Sequence, residues 1–341
     1  MNHSTFKSFT FGIGLFFTLP LVYGNSSSPS SSDGTLYINK SKTHKVAPVK
    51  YGFHYEEIGM MGEGALHAEL IRNRSFEEAT PPAGLSVKNG LYENVPAPRV
   101  KEKKVFQADP LIGWTTYPLS YTPVFISRTD ENPMSGENKY SMLVNVTEDI
   151  ANHSDALILN RGYYGMNLKT DTSYRLSLFL KNRNYSAPLR VFLVDEWGQR
   201  VSNVIEVNVG NREWTKYTGE LKPEKNVRRG MFAIQPMSKG QFQIDVVSLF
   251  PSDTWNDGRS VFRKDIVQNL KEFSPSFIRF PGGCIVHGVN EETMYHWKKT
   301  LGPIENRPGQ WSKWAPYYRT DGIGYHEFYE LCEYVLSPDA C

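Results

Sequence analysis

Three groups of side chains in this sequence are of types that do chemistry. The first is a carboxylate pair, Glu56 and Glu57, in the run Tyr55-Glu56-Glu57-Ile58-Gly59-Met60-Met61-Gly62. Neighbours in extended backbone alternate faces, so at most one of the pair points into a cleft. Read locally, both are solvated loop carboxylates first and cleft acids second. Glu63 and Glu69 carry the same reading. The second group is Arg279-Phe280-Pro281-Gly282-Gly283-Cys284, a short strand ending in a sharp turn. Pro281 ends the strand, and the glycines permit a tight backbone path. A Cys284 thiolate nucleophile would need an activating base. His287 is near in sequence but nothing orients it, so Cys284 reads as a small residue lining a pocket. The third group is aromatic: Trp297, Trp311 and Trp314, with Tyr317 and Tyr318. Such faces stack on the apolar faces of sugar rings, or simply pack a long loop; both readings stand. Trp114, Trp197 and Trp214 pose the same choice, with one of the three expected to serve as a ligand platform.

Three regions must position these groups. In residues 35–78, strands are expected at 36–38 and 51–55, and a short helix at 66–71. Residues 74–252 are strand-like. Tyr174-Arg175-Leu176-Ser177-Leu178-Phe179-Leu180 and residues 190–194, 201–209, 231–234 and 242–249 are rich in aliphatic and aromatic side chains. Turn residues recur between them, as at Gly210-Asn211 and Lys239-Gly240. Short strands with regular turns predict an antiparallel sandwich or jelly roll. From about 259 the period changes. Phe262, Ile266, Leu270 and Phe273 share one helix face, with Ser260 as its expected cap. A strand at 277–280, a loop and a helix at 324–336 follow, the last with Phe328, Leu331, Cys332 and Val335 on its apolar face. Helix, strand, loop, helix is the order of a parallel α/β unit, whose chemistry sits at the carboxyl ends of strands.

Composition narrows the function. The chain has 341 residues, 40% hydrophobic, and a net charge of +2, so no nucleic-acid footprint follows. Lys101-Glu102-Lys103-Lys104 reads as a solvated loop. Lys7, the apolar run 11–22 and Val22-Tyr23-Gly24 have the form of a secretory signal, too short for a spanning helix of ~20 residues. A retained anchor is the alternative. Residues 25–34 are a Ser-rich linker. The three cysteines, Cys284, Cys332 and Cys341, make no disulfide framework, and no Cys/His cluster has zinc spacing, so no metal or cofactor is implied. Asn39, Asn145 and Asn184 head glycosylation triplets.

Five segments in order resemble one family. They are residues 51–59, Ala68-Glu69-Leu70-Ile71-Arg72-Asn73-Arg74-Ser75-Phe76-Glu77, residues 277–284, Gly302-Pro303-Ile304-Glu305-Asn306-Arg307-Pro308-Gly309, and Thr320-Asp321-Gly322-Ile323-Gly324. Together they resemble the α-L-arabinofuranosidases of glycoside hydrolase family 51, in the branch with a carbohydrate-binding-like jelly roll. The resemblance implies a mixed fold, an antiparallel β-sandwich inserted into a (β/α)8 barrel after its first strand. It implies that Glu56 contacts arabinose, that Cys284 lines the arabinose subsite, and that Trp314, with Trp311 as second choice, closes over the sugar. It also implies retaining hydrolysis by two glutamates on later barrel strands, without counterpart in these residues.

The expected organisation is signal 1–24, linker 25–34, first barrel strand within 35–73, sandwich 74–252 and the start of a barrel at 259–341. A barrel usually needs ~250 residues, so about two of its eight strands are expected here. The expected role is the N-terminal part of a secreted or periplasmic arabinofuranosidase, inactive alone. Its partner would be an arabinose-containing plant cell-wall polysaccharide or oligosaccharide. A non-catalytic carbohydrate-binding protein is the competing reading.

Overall fold

The computed structural model describes residues 51–80, 109–119, 121–150, 156–288, 294–310 and 318–336, and positions 39, 41, 43 and 291. At 87–88, 91–93, 105–107 and 311 it describes backbone alone. The chain divides into a unit of residues 1–46 and one of residues 47–341. In the first, Ser41 donates its backbone N–H and its hydroxyl to the Asn39 side chain. The signal, the Ser-rich linker and the strand expected at 36–38 lie outside the described residues.

In the second unit, β1 (Phe53–His54) is followed by a kinked turn, Gly62–Leu66, and by a short three-stranded meander of β2 (Val87–Lys88), β3 (Leu91–Glu93) and β4 (Val105–Gln107). Eleven strands build the body: β5 (Trp114–Tyr117), β6 (Val124–Thr129), β7 (Ser141–Val146), β8 (Leu157–Asn160), β9 (Met166–Leu168), β10 (Tyr174–Asn182), β11 (Pro188–Val194), β12 (Ile205–Asn208), β13 (Thr215–Leu221), β14 (Val227–Gln235) and β15 (Gly240–Pro251). They form two antiparallel sheets, ordered β13-β10-β15-β7-β6 and β12-β11-β14-β8-β5, with β9 beside β14. Tyr174, Leu176, Leu178 and Leu180 alternate inward on β10, the period a half-buried strand demands. They share one core with Val144 of β7, Ile158 of β8, Val191 of β11 and Phe232 of β14. Of the run expected at 201–209, only Ile205–Asn208 is strand; Ser202 makes an isolated bridge to Pro223.

The α/β part brackets this body in sequence. α1 (Lys264–Glu272) leads to β16 (Ile278–Arg279), which pairs parallel with β1 in the register Phe53↔Ile278 and His54↔Arg279. Then come α2 (Cys284–His287), the hairpin β17 (Gln310–Trp311) with β18 (Tyr318–Arg319), and α3 (Tyr325–Val335). Phe262, Val267, Phe328, Leu331 and Val335 form the core beneath the parallel pair. The expected face of the first helix shifts. Phe262 precedes α1, Val267 takes its buried position, and Phe273 is 60% exposed beyond the last turn. Ser260 accepts from the Phe262 N–H instead of capping; the cap position is Arg263.

The helix expected at 66–71 is absent. Its backbone is drawn into tertiary pairs: Ala68 N–H to Val261 O, Leu70 N–H to Leu249 O, and Arg263 N–H to Leu66 O. Glu69 is 3% exposed and accepts the N–H groups of Ile71 and Leu249 and the Ser248 hydroxyl. Local helix propensity is a weak prior beside such pairing.

Candidate active-site wall

The parallel register carries the first strand directly into the turn after the second. Tyr55 N–H donates to Arg279 O at 2.8 Å and Glu57 N–H to Pro281 O at 3.4 Å. The Glu56 side chain is therefore set against the Pro281-Gly282-Gly283 turn, where Gly283 N–H lies 3.4 Å from its Oε1. Gly282 has φ +136°, and a Cβ there would come within 2.5 Å of Glu56 Cγ. The glycine is thus required twice, by conformation and by the approach of the carboxylate. Cys284 opens α2 at the end of this turn and is half-buried, near Glu56 through the turn. Trp314 lies outside the described residues, and of Trp311 only the backbone is described.

A small cleft opens beside the same turn, lined by Tyr55, Glu57, Glu63, Pro281, Arg319 and Asp321 among others. Glu57 is buried and accepts from the Tyr55 hydroxyl at 2.6 Å. Glu63 is also buried, accepting the N–H and hydroxyl of Thr320 and the Tyr163 hydroxyl. Neither is a solvated loop carboxylate, nor is Glu69. Local composition could not show this, because the burial comes from residues hundreds of positions away. Arg319 pairs with Asp321 and donates to Gln310, with its guanidinium 5.2 Å from the Tyr295 ring centre. Burial pushes the Asp321 carboxyl above its usual range, and the Arg319 charge offsets part of that. The sequence signal for Asp321 was the Thr320-Asp321-Gly322 run, to which sequence alone assigned no role. A Cβ at Gly322 would sit 2.2 Å from the His67 ring.

Arg307 braces the backbone of the cleft residue Asp321. It holds Glu327 through two contacts, at 2.7 and 3.0 Å, and donates to Asp321 O and Gly302 O. Glu327 also takes the Gly324 N–H, capping α3. Glu305 reaches the two-sheet body through Lys216 at 2.7 Å and through its carbonyl to Asn138. Among the other tryptophans, Trp114 is buried and donates to Asn73 O, and Trp214 donates to Asn132 O. Trp197 is 68% exposed at a hairpin tip, and Trp297 packs 5.1 Å from Tyr325. Among the described residues, no group of three or more His, Cys, Asp or Glu is placed to hold a metal ion. Among the same residues, no helix is long and apolar enough to cross a membrane.

Where the α/β part meets the sheets, carboxyls are crowded. Glu78 is buried, and burial lifts its pKa to about 7 despite the Arg72 charge beside it. A carboxyl raised above its unfolded value of 4.5 stabilises the fold below that value, and the stability is lost as pH rises to about 7. Glu78→Gln keeps the shape without the charge. It is expected to be more stable than the parent at pH 8, by up to about 3 kcal/mol, and equally stable at pH 4.5. Calorimetry at the two pH values checks this; equal shifts at both would remove the charge explanation.

Comparisons with known proteins bear on this geometry. A family model described as an alpha-L-arabinofuranosidase 1 domain matches residues 269–337. Alpha-L-arabinofuranosidase 1 of Arabidopsis thaliana is 28% identical over 288 residues, covering 83% of this chain and 38% of the relative. An extracellular exo-alpha-L-arabinofuranosidase of Streptomyces chartreusis is 27% identical, covering 83% of this chain and 31% of its own length. Among solved structures, an arabinose-bound family 51 α-L-arabinofuranosidase superposes with a TM-score of 0.70 at 25% identity, covering 87% of this chain and 44% of that one. The chain thus spans less than half the length of each of these relatives.

Proposed function

We propose, from the premise that this chain is a relative of the α-L-arabinofuranosidases of glycoside hydrolase family 51, that it supplies the arabinose-facing wall of such an enzyme. One observation carries the reading. The β1–β16 register sets the Glu56 carboxylate against the Gly282-Gly283 turn that leads into Cys284. A carboxylate fixed by a backbone N–H can accept a sugar hydroxyl without being reoriented. Cys284 gives a small, weakly polar neighbour, and Trp314 is assigned the cover. The parallel pair is read as the first two strands of a (β/α)8 barrel, with the two-sheet body a jelly roll inserted between them. Secretion by an N-terminal signal, and arabinoxylan or arabinan as the polymer that presents the sugar, belong to the same reading.

Retaining hydrolysis needs an acid/base and a nucleophile whose carboxyls are about 5–5.5 Å apart. The resemblance places both glutamates on later barrel strands, so this reading assigns neither role to a residue of this chain. The purified chain is therefore expected to bind L-arabinose and to leave an aryl α-L-arabinofuranoside intact. Glu56→Gln is expected to weaken arabinose binding about tenfold or more, since a charge-assisted hydrogen bond is worth ~1.5–3 kcal/mol. Released aryl alcohol would refute the inactivity. Arabinose binding indifferent to Glu56→Gln would refute the wall.

A further inference from the structure

The turn Arg161-Gly162-Tyr163-Tyr164-Gly165 sends two neighbouring tyrosines in opposite directions. Tyr163 goes inward. Its ring occupies the space a Cβ of Gly64 would need, 2.6 Å away, and its hydroxyl donates to Glu63 at 3.2 Å, on the cleft lining. Tyr164 goes outward and is 80% exposed. It stands over the loop that follows β1, with its hydroxyl 4.0 Å from the Met60 sulfur. Met61 and Ile58 of that loop are 50% and 48% exposed. The exposed apolar residues adjoin the cleft along the chain, Met61 directly preceding Gly62 and Glu63 of its lining.

The turn is built to hold this pose. Gly162 and Gly165 have φ +60° and +91°, and a Cβ on either would press on Leu70 O at 2.7 Å or on Arg229 Cα at 3.1 Å. Gly165 N–H closes the turn on Arg161 O, whose own N–H donates to Gly113 O. A tyrosine on a fixed turn is pre-ordered, so a ligand that covers its ring does not have to immobilise it. Its partner must offer an apolar face of ring size close to a sugar held against Glu56, four residues before Met60 in the same segment.

We propose that Tyr164, with Met60 beside it, is a stacking platform for the main-chain sugar that carries the arabinose branch. The proposal rests on the arabinose-wall reading. It goes further in assigning the two-sheet body a direct part in polymer recognition, through a residue far in sequence from the strand termini.

The test is retardation of the full chain in gels containing arabinoxylan, arabinan or unbranched xylan, with free L-arabinose binding measured in parallel. Tyr164→Ala is expected to weaken binding of the branched polymer about five- to tenfold, the scale of one lost aromatic contact, and to leave free arabinose binding at the parent level. Tyr164→Phe is expected to bind the polymer as the parent does, since it keeps the ring. Greater loss on arabinoxylan than on arabinan would identify a pyranose main chain, and the reverse a furanose one. Parent-like polymer binding by Tyr164→Ala would overturn the platform, as would an equal loss of free arabinose. If the parent chain binds arabinose but no polymer, the platform alone falls. If it binds neither, the wall reading falls and takes the platform with it.

Discussion

Phe76→Ala is expected to lower the unfolding free energy by about 3–5 kcal/mol, the range for removing a fully buried aromatic ring. Phe76 is 0% exposed, its ring centre is 5.5 Å from that of Trp114, and Trp114 packs in turn 6.3 Å from Phe232 in the body's core. Its backbone sits at φ +59°, a conformation alanine tolerates no better, so substitution brings no compensating relief. The residue belongs to the segment that runs from β1 into the body. That segment is fastened at Val261, Leu249 and Val247 by backbone hydrogen bonds. Loss of the ring is therefore expected to lower the stability of the sheets and of the β1–β16 pair in one transition. Urea unfolding followed by fluorescence and by far-ultraviolet dichroism checks this. Two separated transitions, or a cost under about 1 kcal/mol, would contradict it. Phe273→Ala, at an exposed helix end, should stay within about 0.5 kcal/mol.

The same segment shows what was legible in the sequence. Aliphatic and aromatic enrichment in Tyr174-Arg175-Leu176-Ser177-Leu178 and its neighbours, with turn residues between the runs, pointed to the strands, because both are local properties of the chain. Phe328, Leu331 and Val335 gave α3 for the matching reason at period 3.6. Residues 66–76 misled because their structure is decided elsewhere in the chain. Leu66 to Ile71 suits a helix locally, but Glu69 is fixed by Ile71, Ser248 and Leu249. Sequence placed a boundary between 73 and 74, yet Ile71 lies in the core of the two-sheet body and Trp114 donates to Asn73 O. A fragment beginning at 74 would leave that core short of its own residues. At the site, the Pro-Gly-Gly turn was readable from composition, since Gly282 must accept φ +136° and a close carboxylate. The burial of Glu63 was not, because its partners Tyr163 and Thr320 come from 100 and 257 positions away.

Glu63→Ala is expected to cost about as much as Phe76→Ala, for an electrostatic reason. The carboxylate accepts the N–H and hydroxyl of Thr320 and the Tyr163 hydroxyl, so its removal strands three donors in a buried place. Stripping one partner from a buried charged network costs roughly 3–5 kcal/mol. Glu63→Gln, which still offers Thr320 an oxygen, is expected to cost less than half of that. The acid limb of stability separates charge from shape. Burial alone would raise the Glu63 carboxyl, but the His67 ring 3.8 Å away, the Thr320 hydroxyl and the Arg74 charge outweigh it and hold the pKa at about 2. A carboxyl held below its unfolded value of 4.5 contributes stability above that pH, and the contribution is lost as pH falls toward 2. It amounts to about 3 kcal/mol at 1.36 kcal/mol per unit. Glu78 slopes the other way between 4.5 and about 7, and burial raises Glu69, Glu77 and Asp245 in the same sense. The Glu63 contribution is therefore lost on the acid side of pH 4.5, and the Glu78 contribution on its basic side. In Glu63→Ala the loss below pH 4.5 should flatten, while the loss above it persists, reduced by the part that the Glu63 charge adds to the Glu78 shift. Melting temperatures from pH 2.5 to 8 measure both limbs. An unchanged acid limb in the variant would show that Glu63 is not held ionised, and the electrostatic account of its cost would fail.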